Sequence, residues 1–185
     1  MVLGISLLIF LIEVIGGALS GSLALLSDAG HVLTDTIALT VAITLEYWIY
    51  KKPERKKMLR PMGAYINAAL LFIIAGWVAF EAIQRMTTGI KIMTTTMLAI
   101  ALFGAVGNYV QDWILKPTEE QHLTHRAMRL HILSDLWQSL AVIVAGVIIM
   151  ITGQTIADPI ASLIIACVMV IWGIRLVFLV RKEQN

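Results

Sequence analysis

Six apolar runs, at about 1–19, 23–50, 62–84, 93–115, 127–151 and 159–180, take up most of this sequence and leave short polar connections between them. A helix that crosses a bilayer needs about 20 predominantly apolar residues, so each run is long enough to span. Inside lipid the backbone has no water to bond, and helices, which satisfy their own N–H and C=O groups, are what runs of this length form. Six spans consume a chain of 185 residues. The expected fold is therefore all-α, a single six-helix transmembrane domain over residues 1–185 with no C-terminal cytoplasmic domain. Composition agrees: 59% of residues are hydrophobic and 14% charged, against roughly 45 to 50% apolar in a soluble domain. The first run has neither a basic lead nor an A-x-A-like end, and so reads as a first span instead of a cleaved signal.

The connections set the orientation. Lys51, Lys52, Arg55, Lys56, Lys57 and Arg60 lie in KKPERKKMLR at 51–60; Lys116, Arg126 and Arg129 flank the connection at 116–126; Arg175, Arg181 and Lys182 close the chain. The alternate connections hold only Arg85 and Lys91. Twelve of the 14 basic residues thus share one side, which the positive-inside rule makes cytoplasmic, with both termini there. Spread over loops, and with a net charge of only +2, they form no patch for nucleic acid. The single Cys167, inside an apolar run, offers no disulfide and no thiolate cluster within one chain, and reads as packing. Pro53 and Pro61 are expected to interrupt the connection at 51–60, and Thr118 with Gln121 to cap the fifth helix. Asp158 before Pro159 is expected to cap the sixth, its carboxylate at the positive end of the helix.

Against this apolar background the second run, SLALLSDAGHVLTDTIALTVAITLEYWIY at 22–50, carries Asp28, His31 and Asp35. A charge near the centre of a span costs roughly 2.5 to 3.5 kcal/mol on insertion scales, and ionisable residues there are functional candidates by default. His31 and Asp35 are four apart and Asp28 three before His31, so a helix stacks all three on one face. The same pattern recurs a hundred residues on: His31-Val32-Leu33-Thr34-Asp35 and His131-Ile132-Leu133-Ser134-Asp135 both read His, aliphatic, Leu, hydroxyl, Asp. By the topology above, the second helix runs inward and the fifth outward, the opposed arrangement of inverted transporter repeats.

If those helices pack together, two imidazoles and two carboxylates converge as four ligands, the tetrahedral preference of Zn²⁺. The set is intermediate in softness and suits Zn²⁺, Cd²⁺ or Co²⁺ better than Cu(I) or Mg²⁺. Binding needs neutral imidazoles and ionised carboxylates, so metal and protons compete for the same groups. That is the chemistry of a metal–proton antiporter. Counted from the apolar edges, His31 and Asp35 lie in the outer half of their helix and His131 and Asp135 towards the inner half of theirs. A tilt or a cytoplasmic extension of the fifth helix is needed to bring them level.

SGSLALLSDAGHVLTDTIAL and RLHILSDLWQSLAVIVAGVII resemble the second and fifth helices of cation diffusion facilitator proteins, and most of all their bacterial zinc-exporting branch. The resemblance extends to EVIGGALSGS at 13–22, NAALLFIIAGWVAFEAIQR at 67–85 and ADPIASLIIA at 157–166. It implies a cation diffusion facilitator-like bundle in the bacterial inner membrane and a transport site made by His31, Asp35, His131 and Asp135. It further implies proton-coupled export of divalent metal by alternating access, usually by a homodimer. Family members typically carry a cytoplasmic C-terminal domain and a polar N-terminal lead, whereas this sequence begins within its first helix and stops at Asn185. The connection at 51–60 has no His and no Asp, so the accessory metal site that some members build there is expected to be absent.

Other polar residues in the runs have two readings each. Glu13 and Glu81 can relay protons or bond between helices; Asp28 can orient the ligands or accept protons; Asn67 and Asn108 suit interhelical hydrogen bonds. His122 and His125, near Glu119 and Glu120, can collect metal or simply be solvated. Two functions compete with transport: a haem-binding electron-transfer protein with His31 and His131 as axial ligands, Gly30 admitting the macrocycle, and a non-transporting metal sensor. An intramembrane metallohydrolase lacks its H-E-x-x-H, and no enzyme is expected.

Overall fold

The computed structural model describes residues 2–114 and 123–184, with side chains described for 4–59, 61–114 and 132–182. These residues form α1 (Val2–Ser20), α2 (Leu23–Lys51), α3 (Lys56–Thr88), α4 (Thr94–Ile114), α5 (Leu123–Thr152) and α6 (Ala157–Gln184), with one 3-10 turn at Pro53–Arg55. Every expected helix is present, and no strand occurs among the described residues. Helices α2 to α6 each contain a stretch long and apolar enough to cross a membrane, and the described part of α1, Gly4–Ser20, is a shorter apolar helix.

One boundary differs. The basic stretch at 51–60 is mostly helical: α3 begins at Lys56 and carries Pro61 inside it. A proline this close to a helix start removes only the bond to the carbonyl of Lys57, one turn beyond donors that have no helical partner in any case. The break is confined to Lys52–Arg55, where Pro53 opens the 3-10 turn. The capping pair Thr118 and Gln121, together with Glu119, Glu120 and His122, lies outside the described residues, as does the side chain of His125.

α2 is the central element, packed on α1, α3, α5 and α6, while α1 also packs on α4, α4 on α5, and α3 on α6. The core between them is built from small and medium side chains, among them Ala24, Ala75, Ala101, Ala145, Ala161 and Ala166 beside Leu25, Val78, Met97, Ile165 and Met169. Small residues let helix backbones approach, which replaces the hydrophobic driving force that lipid does not supply. Cys167 does not join this core; it is exposed on the outward face of α6.

The α1–α2 turn is pinned by residues far away in sequence. Gly21, with φ of 74°, takes the left-handed conformation that glycine adopts without strain. Its carbonyl accepts from Arg85 Nη1 of α3 at 2.6 Å, and Arg85 Nε donates to Glu81 at 2.8 Å. Asp158 does not act as the cap of its own helix, as its place before Pro159 suggests. It lies in the first turn of α6, and its carboxylate accepts from the Leu23 and Ala24 N–H groups at 2.8 and 3.2 Å and from the Ser22 hydroxyl. The N-terminus of α2 offers unpaired donors and a positive dipole end, and the packing of α6 on α2 brings the carboxylate to them.

Candidate metal site

The first turns of α2 are buried, and two turns below Ser22 its buried face presents His31. Asp35 follows one turn later and α5 supplies Asp135, so that one ligand atom from each of the three residues lies within 4.8 Å of the others. His31 Nε2 stands 3.5 Å from Asp35 Oδ2 and 3.7 Å from Asp135 Oδ1. These separations exceed a good hydrogen bond. Bonds of about 2.0 to 2.1 Å to zinc place tetrahedral ligands about 3.3 Å apart, close to these two separations. His131 occupies the helical position one turn before Asp135 on α5, and its side chain lies outside the described residues.

The two halves meet because the helix ends are not level. α5 begins at Leu123 and runs to Thr152, residues 151–154 are exposed, and only at Asp158 does the chain regain the start of α2. α5 therefore overshoots α2 at that end and extends at the other, which brings Asp135 down to the depth of His31 and Asp35.

Exposure around the cluster is uneven. Along the α2 face that bears it, Ala24, Asp28 and His31 are buried, Asp35 and Ala38 are part-buried, and Ala42 and Glu46 are exposed. The side chains follow the same gradient, with His31 at 5% and Asp35 at 24% exposure. Exposure along this face thus rises from the Ser22 turn towards Lys51.

Around it the remaining candidates separate. Asp28 is directed at α5, where its Oδ2 accepts from Ser139 Oγ at 3.1 Å, and Asn108 Nδ2 of α4 donates to the same hydroxyl at 3.3 Å. Glu13 is buried on α1 with its Oε1 against Gly104 of α4, and neither of its oxygens has a hydrogen-bond partner among the described residues. Asn67 Oδ1 is buried likewise. Glu81 stands apart, paired with Arg85 at the far end of α3.

The sequence reading passed over Ser139, although it lies four residues after Asp135 and so shares its face, and Gln138, whose buried amide has no partner among the described residues. It also missed the reach of Asp158, which only the packing of α6 on α2 creates. The space over Gly30, where a macrocycle was to enter, is filled by Ile74 of α3.

The chain matches the family model described as the cation efflux transmembrane domain over residues 1–180. It is 40% identical over 168 residues to the zinc transporter ZitB of Yersinia pestis, covering 88% of this chain and 54% of that protein. To the zinc transporter ZitB of Escherichia coli it is 40% identical over 169 residues, 88% of this chain and 54% of the relative. To the cadmium, cobalt and zinc/H(+)-K(+) antiporter of Bacillus subtilis it is 39% identical over 163 residues, 84% and 52% respectively. The chain spans about half the length of these curated relatives.

Proposed function

This chain belongs to the cation efflux family, and from that premise we propose that it exports a divalent metal ion, zinc first, in exchange for protons. The observation that carries the reading is the cluster of His31, Asp35 and Asp135 between α2 and α5, with one ligand atom of each within 4.8 Å of the others and His31 Nε2 at 3.5 and 3.7 Å from the two carboxylates. His131, one turn before Asp135, is the fourth ligand. Two carboxylates neutralise the ion, so the loaded site carries no net charge through the bilayer. Cd²⁺ and Co²⁺ suit the same borderline ligands, and both are named in the Bacillus relative.

Exposure on the α2 face of the cluster rises towards the end that carries Lys51, Lys52, Arg55, Lys56 and Lys57. With that end cytoplasmic by the positive-inside rule, both termini are cytoplasmic and the cluster faces the compartment from which an exporter loads. Alternating access follows as closure of the Lys51 end and opening of the Ser22 end, in a bacterial inner membrane and as a homodimer. The haem reading loses its opening to Ile74 over Gly30 and leaves two carboxylates beside the imidazole unexplained; a Soret band in the purified protein would restore it.

The test is Zn²⁺ uptake into proteoliposomes with and without a pH gradient. We expect Asp35→Ala and Asp135→Ala each to lower flux at least tenfold. Unchanged flux in either refutes the four-ligand site, and metal binding without flux in the parent makes the chain a sensor instead of a transporter.

A further inference from the structure

We propose that the corner joining α2 to α3 is a binding surface for acidic phospholipid, with phosphate headgroups on Lys51, Lys52, Arg55, Lys56 and Lys57 and the upper acyl chain on the aromatic residues just before them. It involves none of the metal-site residues and stands apart from the exchange reading above.

Both helices are longer than a bilayer needs. α2 has 29 residues and α3 has 33, about 44 and 50 Å at 1.5 Å per residue, against a hydrocarbon core of about 30 Å. Counted from the Ser22 turn, about 20 residues of α2 reach Ala42, so its last turns and the start of α3 fall at the level of the headgroups. Residues 51–58 are all exposed, and among them five cations stand against the single Glu54. None of the five is ion-paired among the described residues. The backbone that carries them is folded. The Lys52 N–H donates to the Trp48 carbonyl at 2.9 Å and the Arg55 N–H to the Lys52 carbonyl at 3.0 Å, Leu59 is buried with Leu45 and Ile49, and the Lys51 ammonium lies 4.6 Å from the centre of the Tyr47 ring. The corner is thus set before a ligand arrives, which lowers the cost of binding.

The neighbouring side chains select the occupant. Tyr47, Trp48 and Tyr50 are exposed and lie in the last turns of α2, on the membrane side of the cations. Trp and Tyr, with an apolar ring and a polar edge, favour the membrane–water interface, and a cluster of about four to eight Lys and Arg beside a span attracts acidic headgroups. A phospholipid brings both partners at one depth, phosphate for the cations and glycerol with upper acyl chain for the rings. A soluble acidic partner would meet the cations and leave the rings uncovered; a neutral lipid would cover the rings and leave five cations facing one carboxylate. At the opposite ends of the same helices there is no such surplus, since Arg85 is engaged by Glu81 and by the Gly21 carbonyl.

Native mass spectrometry of the purified full chain in a neutral detergent, with phosphatidylglycerol or phosphatidylcholine of the same acyl chains added, measures the preference directly. We expect the parent to bind the acidic lipid about tenfold more tightly, and to lose most of that margin when ammonium acetate is raised from about 0.1 to 1 M, because exposed charges are then screened within about 3 Å. Lys52→Gln/Arg55→Gln/Lys56→Gln/Lys57→Gln should bring the preference below about twofold. Lys52→Arg/Lys56→Arg/Lys57→Arg, which keeps every charge, should retain it, as should Arg181→Gln/Lys182→Gln, which removes two cations elsewhere. Equal affinity of the parent for the two lipids overturns the proposal, as does a full preference in the quadruple glutamine variant. An equal loss in the Arg181/Lys182 variant overturns it in favour of net charge alone, and displacement of the lipid by inorganic phosphate overturns it in favour of a free-phosphate site.

Discussion

His31 presents one imidazole nitrogen to two carboxylates, at 3.5 and 3.7 Å, and in the proposed site it sets the softness of the ligand set. Replacing it by Asp substitutes an oxygen for a borderline nitrogen. We expect His31→Asp to widen selectivity towards harder ions, read as a fall of at least fivefold in the Zn²⁺ to Mn²⁺ preference in competitive uptake; an unaltered preference contradicts the ligand role of His31. Much of this scale was legible beforehand, since the spacing of His31 and Asp35 needs only a helix to bring the pair onto one face. What the residues around Asp28 do was not legible. Its position three before His31 pointed to the ligands, and its hydrogen bond goes instead to Ser139, 111 residues away. Periodicity ranks the faces of a helix, and it is silent about which neighbouring helix reaches a given oxygen first.

α2 carries two of the proposed ligands, and its first turn is completed from outside. Ser22 bonds the Leu25 N–H at 3.2 Å, while Asp158 takes the Leu23 and Ala24 N–H groups. Losing a cap costs roughly 0.5 to 2 kcal/mol, and each buried donor left unbonded about 1 to 3. Asp158→Ala is therefore expected to destabilise the bundle by about 2 to 4 kcal/mol, with Asp158→Asn, which keeps an acceptor, costing about half as much. Thermal unfolding in detergent measures both, and equal melting of Asp158→Ala and the parent would refute the cap. Helix existence was read from the apolar runs at every span. The ends were less legible: Pro61 marked a break that a helix start absorbs, and Asp158 marked the start of α6 yet serves α2.

At the scale of the molecule, the proposed exchange ties metal affinity to pH. Metal needs both imidazoles neutral, so its binding releases protons and weakens as pH falls. The affinity at pH 6.0 is therefore expected to be several-fold below that at pH 7.5. Calorimetric titration with Zn²⁺ checks this, and a pH-independent constant would leave no protons to exchange. The six apolar helices were legible because lipid admits few alternatives; the depth of the site was not, because it depends on how far α5 overshoots α2. The reach of Asp158 across 136 residues to Ser22 also imposes an order on synthesis. Helix α2 enters the membrane early, with the leading end that guides His31 still bare, and acquires its carboxylate only when the sixth helix arrives. A chain interrupted before α6 carries the proposed ligands of both α2 and α5 on an α2 whose first turn still lacks this acceptor.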